Sequence, residues 1–195
     1  KAMAQQLRDL GFEVTLLLDL DKASFEAKVR DFVGSLSGAD VALFFYAGHG
    51  LQVDGRNYMV PVDADVANEA DLPFQLVALD IALQSLAAER ITNIVILDAC
   101  RNNPLSEKLA KALGERANAV GKGLGTITTG TGTLISFSTQ PGNVALDGEG
   151  PDSPFTEALV KHIATPNVTA LSMLQDVRSD VVERTKEQQV PWDNS

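Results

Sequence analysis

The chain has 195 residues, 45% hydrophobic and 22% charged, a composition typical of a single globular domain and not of a disordered or fibrous chain. Its formal net charge is −10 and it has no basic stripe, so nucleic acid is excluded as a partner because its phosphates would be repelled. No apolar run approaches the roughly 20 residues that a membrane-spanning helix needs. The single cysteine excludes an intrachain disulfide and a multi-cysteine metal site, and it suits a reducing compartment such as the cytoplasm.

The first third of the chain alternates between helical and strand-like spacing of apolar residues. A helix that ends near Leu10 is followed by a short apolar strand at Phe12–Leu18. Apolar residues from Phe25 to Leu36 then follow helical spacing and form one stripe that faces a core. The unbroken apolar run Val41–Tyr46 is typical of a strand buried on both faces, and we expect it to end there.

The rest of the chain continues this alternation. In chain order, the pattern predicts a hairpin through Asp54-Gly55, a helix over 79–86, a buried strand at Ile91–Leu97, a polar helical segment over 105–120, a strand at Leu134–Phe137, and helices over 153–163 and 171–187. Because parallel strands need crossover connections, the pattern predicts one α/β domain over residues 1–195 with a mainly parallel sheet covered on both sides. Residues 104–131 have the weakest core pattern and are predicted to form a flexible linker within the domain.

Two reactive side chains follow two of the predicted strands. His49 comes after Val41–Tyr46, and Cys100 comes after Ile91–Leu97. Active sites of open parallel sheets lie beyond the carboxyl ends of the strands, so neighbouring strands would bring both residues to one crevice. An imidazolium lowers the pKa of a thiol and can later protonate a leaving amine. From spacing alone the alternative stays open, a small core cysteine and a structural histidine.

Glycines on both sides of the histidine strengthen the catalytic interpretation. Gly48 and Gly50 would let the backbone turn sharply and approach a substrate closely. We expect the Gly50 N–H and the Cys100 N–H to face the developing oxyanion. The other histidine, His162, is interpreted as a structural residue at the edge of a predicted helix.

Several motifs bear a family resemblance. Phe44-Phe45-Tyr46-Ala47-Gly48-His49-Gly50 and Ile96-Leu97-Asp98-Ala99-Cys100-Arg101 resemble the His and Cys motifs of the caspase and metacaspase superfamily, above all those of bacterial caspase-like proteins called orthocaspases. Residues 134–142, 152–156 and 190–192 match further family motifs in the same order, so the resemblance spans nearly the whole chain.

The resemblance implies a caspase-like three-layer α/β/α sandwich and hydrolysis of peptide bonds through an acyl-enzyme. It further implies protein or peptide substrates and no cofactor. The family has a core strand before the helix with which this chain begins, so we expect that strand to be omitted from this chain or supplied by a separate fragment.

The resemblance also suggests substrate-binding residues. Caspases that cut after aspartate carry glutamine two residues before the cysteine, whereas metacaspases that cut after arginine or lysine carry an acid there, as Asp98 does here. An anionic Asp98 would attract a basic side chain, although it could instead only cap the loop after its strand. Ser136, in the motif over 134–142, is the second candidate substrate-binding residue. Where some metacaspases have a pocket serine, this chain has Ala47.

Other motifs fail or remain alternatives. Read as an EF-hand from Asp63, the chain has Asn68 at the glycine position and Phe74 at the final acidic position, so that motif is rejected. A looser calcium site in this acidic stretch, which also holds Asp65, Glu69 and Asp71, is an alternative to a solvated loop. Two rival functions stay open: a catalytically silent caspase-like module that binds partners, and a Rossmann-like ligand-binding domain, which the lack of a glycine-rich motif disfavours.

Overall fold

The structure, a computed structural model, describes residues 1–100, 104–121, 124–127, 132–141, 143 and 145–194, with residues 100, 104 and 115 described by their backbone only. The helices are α1 (Ala2–Asp9), α2 (Lys22–Gly34), α3 (Leu72–Gln75), α4 (Leu79–Ala88), α5 (Pro104–Leu113), α6 (Pro154–His162) and α7 (Ala170–Arg184), with 3-10 helices at Glu69–Asp71 and Gly114–Ala119. The strands are β1 (Val41–Val53), β2 (Arg56–Met59), β3 (Val77–Ala78), β4 (Thr92–Cys100), β5 (Val120–Gly121), β6 (Thr133–Phe137) and β7 (Trp192–Asn194).

The described strands form one sheet in the order β3-β2-β1-β4-β6-β7, with β5 paired to β1. The three core strands, β1, β4 and β6, are parallel to one another. The short strands β2, β3 and β7 join them in antiparallel fashion. The predicted α/β fold with a parallel core is therefore confirmed.

Helices cover both faces of this sheet. One core cluster joins α2 and α4 to one face of the core strands, where Phe44, Tyr46, Val95 and Leu97 lie. The intervening residues of the same strands, such as Phe45 and Ile96, pack into a second cluster with α1, α6 and α7. This alternation with a period of two is what a strand buried on both faces requires, and it makes the domain a three-layer sandwich. None of the described helices is both long enough and apolar enough to cross a membrane.

The first predicted strand, Phe12–Leu18, is wrong. The structure has neither helix nor strand in this segment, and none of the described strand pairings includes it. Its leucines at 16, 17 and 18 remain 38–51% exposed. An extended segment becomes a strand only when a neighbour supplies hydrogen bonds, and the described residues offer none beside it.

The prediction that the next strand ends at Tyr46 is also wrong. Strand β1 continues through the glycines to Val53 because it changes partners: residues 41–49 pair with β4, and residues 50–53 pair with β2. Neither Gly48 nor Gly50 has a positive φ. The expected sharp turn does not occur at these glycines.

Two other local predictions are confirmed. Asp54 and Gly55 turn β1 into β2 with φ values of 47° and 81°, as a two-residue hairpin turn requires. The expected helical segment over 105–120 is α5 followed by a 3-10 helix. Leu109 of α5 is fully buried. The flexibility of residues 104–131 stays a prediction, and positions 122–123 and 128–131 lie outside the described residues.

Candidate active site

The two candidate catalytic residues occupy facing positions on neighbouring core strands. In the parallel ladder between β1 and β4, His49 pairs with Cys100. Adjacent strands lie about 4.8 Å apart, so their backbones are close. The His49 residue is exposed to solvent, as a group that receives a substrate must be. The sheet thus brings together two residues separated by 51 positions in sequence.

The backbone of His49 is held by two donors. The Val60 N–H donates to the His49 carbonyl oxygen at 3.0 Å, and the Tyr46 hydroxyl donates to the same oxygen at 2.7 Å. The Val60 N–H also lies 3.3 Å from the Tyr46 hydroxyl oxygen. These contacts lie where β1 passes from its pairing with β4 to its pairing with β2.

The glycines beside His49 provide space for neighbouring side chains. A Cβ atom at Gly48 would lie 2.7 Å from the Tyr46 hydroxyl oxygen. A Cβ atom at Gly50 would lie 2.9 Å from a methyl group of Leu124 and 3.1 Å from the Cβ of Ala99. Both positions therefore need glycine for close packing. The assignment of the Gly50 and Cys100 N–H groups as oxyanion donors stays a prediction.

Asp98 lies two residues before Cys100 and is only 4% exposed. Its Oδ2 accepts hydrogen bonds from the hydroxyls of Ser153 and of Thr156, the latter at 2.6 Å. Ser153 is the N-cap of α6, and its hydroxyl oxygen accepts the Thr156 N–H at 3.0 Å. Asp98 is therefore anchored to the first turn of α6, where the helix dipole favours a negative charge.

The other oxygen of Asp98, Oδ1, is also buried. Among the described residues, no group makes a hydrogen bond to Asp98 Oδ1. Burial raises the pKa of the Asp98 carboxyl above its ordinary value; the hydroxyls of Ser153, Thr156 and Ser138 oppose this increase, and the charge of Asp147 adds to it. A buried carboxylate with one unsatisfied oxygen favours a cationic partner.

That carboxylate lines a pocket of about 260 Å³ next to His49. Two further acids, Asp147 and Asp152, line the same pocket. The sequence analysis assigned neither as a site residue: Asp152 begins the matched family motif over 152–156 but was given no role, and Asp147 lies in a polar loop outside the matched motifs. Three carboxylates around one cavity make it suitable for a basic side chain and unsuitable for an acidic one.

The other predicted site residue, Ser136, lies elsewhere. It is 2% exposed in the middle of β6, where it pairs with Ile96 and with Asp193 of β7. It is not among the described residues that line the pocket of Asp98. Its role in substrate binding stays a prediction. Ser138, two residues further on, is the residue of this motif that influences Asp98.

Gln189 forms hydrogen bonds to the segment that leads to Asp147. It is a fully buried residue that the sequence analysis also missed. The Gln189 side-chain amide donates to the Ser138 carbonyl at 2.7 Å and accepts from the Leu146 N–H at 2.9 Å. One side chain therefore joins both ends of the segment that leads from β6 to Asp147.

The acids considered for calcium have protein partners. Asp65 pairs with Lys108 at 2.8 Å, which lowers the pKa of the Asp65 carboxyl. Glu69 pairs with Arg116 at 2.9 Å. Asp63 accepts the Lys22 N–H at 2.9 Å, and Asp71 accepts N–H groups within its own turn. The described residues contain no group of three or more acids, histidines or cysteines arranged to hold a metal ion.

The remaining histidine has a structural contact. The Nε2 atom of His162, at the end of α6, lies 3.0 Å from Oδ2 of Asp180 in α7. Lys161 contacts the same oxygen at 2.6 Å. The interaction joins two packed helices on the side of the second core cluster, and it agrees with the interpretation of His162 as a structural residue.

Comparison with known proteins gives a family and two partial relatives. The sequence profile of the caspase domain family, Peptidase C14, matches residues 1–195. The human mucosa-associated lymphoid tissue lymphoma translocation protein 1 is 36% identical over 95 residues, which are 49% of this chain and 11% of that protein. Its mouse homologue matches with the same identity and coverage. The matched part of the chain thus spans about a tenth of the length of these relatives.

Proposed function

Since the chain belongs to the caspase domain family of cysteine peptidases, we propose that it is an endopeptidase with Cys100 as nucleophile and His49 as general base, and that it cleaves after arginine or lysine. The observation that carries the proposal is the pairing of His49 with Cys100 on adjacent parallel strands, beside a pocket that contains a buried carboxylate. The assignment to the metacaspase or orthocaspase branch belongs to the same proposal.

The chemistry follows from the two residues. The His49 imidazole takes the Cys100 thiol proton, and the thiolate forms a bond to the scissile carbonyl carbon. The negative charge moves to the carbonyl oxygen, where the Gly50 and Cys100 N–H groups would stabilise it. The tetrahedral species expels the amine, which takes the proton from the imidazolium. Water, deprotonated by His49, then releases the acid product and restores the thiol.

The pocket gives the reason for basic specificity. An arginine guanidinium or lysine ammonium group would supply the partner that Asp98 Oδ1 does not find among the described residues. Asp147 and Asp152 would add favourable charge around the same cavity. An acidic side chain would meet three carboxylates, and a neutral one would leave Asp98 Oδ1 unsatisfied.

The test compares matched substrates and variants. The fluorogenic peptides differ only in the residue before the cleaved bond, which is arginine, lysine or aspartate. The arginyl and lysyl peptides should be hydrolysed much faster than the aspartyl peptide. Cys100→Ala and His49→Ala should lose this activity while they keep the wild-type circular dichroism spectrum and melting temperature. A folded wild-type protein that hydrolyses none of the peptides would support instead the silent, partner-binding module.

A further inference from the structure

Tyr46 is the side chain that connects the backbone of His49 to its surroundings. Its hydroxyl donates to the His49 carbonyl oxygen at 2.7 Å and lies 3.3 Å from the Val60 nitrogen, which donates to that carbonyl too. The phenol ring stacks on Phe25 of α2, with ring centroids 5.9 Å apart and planes inclined at 28°. The Tyr46 side chain is thus held at its ring by packing on Phe25 and at its hydroxyl by two backbone groups.

The glycine at position 48 leaves the space that the Tyr46 hydroxyl occupies. A Cβ atom at residue 48 would lie 2.7 Å from the Tyr46 hydroxyl oxygen and 3.0 Å from the ring carbon that carries it. Any larger residue would push the hydroxyl away from the His49 carbonyl. The glycine before the histidine therefore makes room for the tyrosine hydroxyl, and no positive φ is involved.

The location of this contact gives it a functional meaning. At His49 the strand β1 leaves the parallel ladder with β4 and enters the antiparallel pairing with β2. The Val60 N–H already donates to the His49 carbonyl at this change of partner, and the imidazole is attached to the same residue. The Tyr46 hydroxyl adds a restraint at this position.

We infer that Tyr46 is a positioning residue that holds His49 in place beside Cys100. The inference rests on the proposed function, in which His49 takes the proton of the Cys100 thiol. It assigns no contact between Tyr46 and the substrate, so loss of the hydroxyl should impair the proton-transfer steps and leave substrate binding in the acidic pocket nearly intact.

The experiment removes the hydroxyl and keeps the ring. Tyr46→Phe should lower kcat for an arginyl peptide by roughly three- to tenfold, the effect of one neutral hydrogen bond. The KM for the same peptide should change by less than about twofold, since Tyr46 is assigned no contact with the substrate. The matched control is Tyr58→Phe, which removes the hydroxyl of the other tyrosine in the chain, a buried residue of β2. It should keep wild-type kcat.

A second readout is the alkylation of Cys100 by iodoacetamide, which is unambiguous because the chain has one cysteine. In the wild type, His49 should keep the thiol reactive at pH 6, and Tyr46→Phe should reduce the rate at pH 6 much more than at pH 9. A structural role alone would not change this pH dependence. Gly48→Ala should reproduce the defect, and the double variant should be no worse than Gly48→Ala alone, because both changes remove the same contact.

The outcomes separate the two claims. If Tyr46→Phe matches the wild type in kcat and in the pH dependence of alkylation while His49→Ala differs, the positioning role is refuted and the proposed function stands. If His49→Ala alkylates like the wild type at every pH, the dyad and the inference both fail. If Tyr46→Phe proves too unstable to assay, Gly48→Ala with wild-type kcat would refute the inference instead.

Discussion

Asp98→Asn tests the source of basic specificity most directly. The substitution keeps the size of the side chain and leaves an oxygen to accept the Ser153 and Thr156 hydroxyl protons, but it removes the charge. A charge-assisted hydrogen bond to a buried carboxylate contributes about 1.5–3 kcal/mol. We therefore expect kcat/KM for an arginyl peptide to fall by about ten- to a hundredfold, since each 1.36 kcal/mol is a factor of ten.

The assay uses citrulline as the matched neutral substrate, because citrulline has the shape of arginine without its charge. The ratio of arginyl to citrullinyl cleavage cancels effects on Cys100 and His49, which act on both peptides. This ratio should be large in the wild type and about ten- to a hundredfold smaller in Asp98→Asn, in which Asp147 and Asp152 still line the pocket. An unchanged ratio would refute the charge interpretation, whatever happens to the absolute rates.

The pH dependence provides an independent check with a definite sign. Because burial raises the pKa of Asp98, the wild-type arginyl-to-citrullinyl ratio should fall on acidification, starting at a higher pH than an ordinary aspartate would give. Burial disfavours the ionised form of Asp98. The wild-type protein therefore loses stability as the pH rises through this raised pKa, because the buried acid must then ionise. The melting temperature of Asp98→Asn relative to wild type should consequently increase with pH. A relative melting temperature that falls between pH 5 and pH 8 would contradict this description of the site.

Two further predictions concern Gln189, which supports the loop of Asp147, and the predicted linker over residues 104–131. Gln189→Leu leaves two backbone groups without their Gln189 partner and should lower the free energy of unfolding by at least about 2 kcal/mol. The control, Gln188→Leu, changes the exposed neighbouring residue and should lower it little. Equal losses in chemical denaturation would contradict the role of Gln189 in supporting the loop of Asp147. In mass spectra of aged protein, the wild type should show cuts after one of the basic residues of the predicted linker over 104–131, which are Lys108, Lys111, Arg116 and Lys122. Cys100→Ala should lack these cuts, and the same fragments in both proteins would indicate a contaminating protease.

The sequence alone determined several local elements and provided the candidate residues of the site. Hydrophobic periodicity predicted α4 and β6 because their apolar spacing is local. The Asp54-Gly55 turn could be predicted because it depends on the two residues that form it. The candidates His49, Cys100 and Asp98 came from short motifs, and the structure brings all three to one end of the core sheet.

Only the tertiary structure decided how strands pair and which distant groups share a cavity. Phe12–Leu18 has the composition of a strand but none of the described strands pairs with it, and β1 runs past its predicted end because β2 takes over from β4. Asp147 lines the pocket and Gln189 supports its loop although their own sequences carry no signal, and the motif that holds Asp152 does not by itself show which cavity that residue lines. The physical reason is common to all of these cases: pairing, burial and electrostatic environment depend on neighbours in space, and the order of residues along the chain does not specify them.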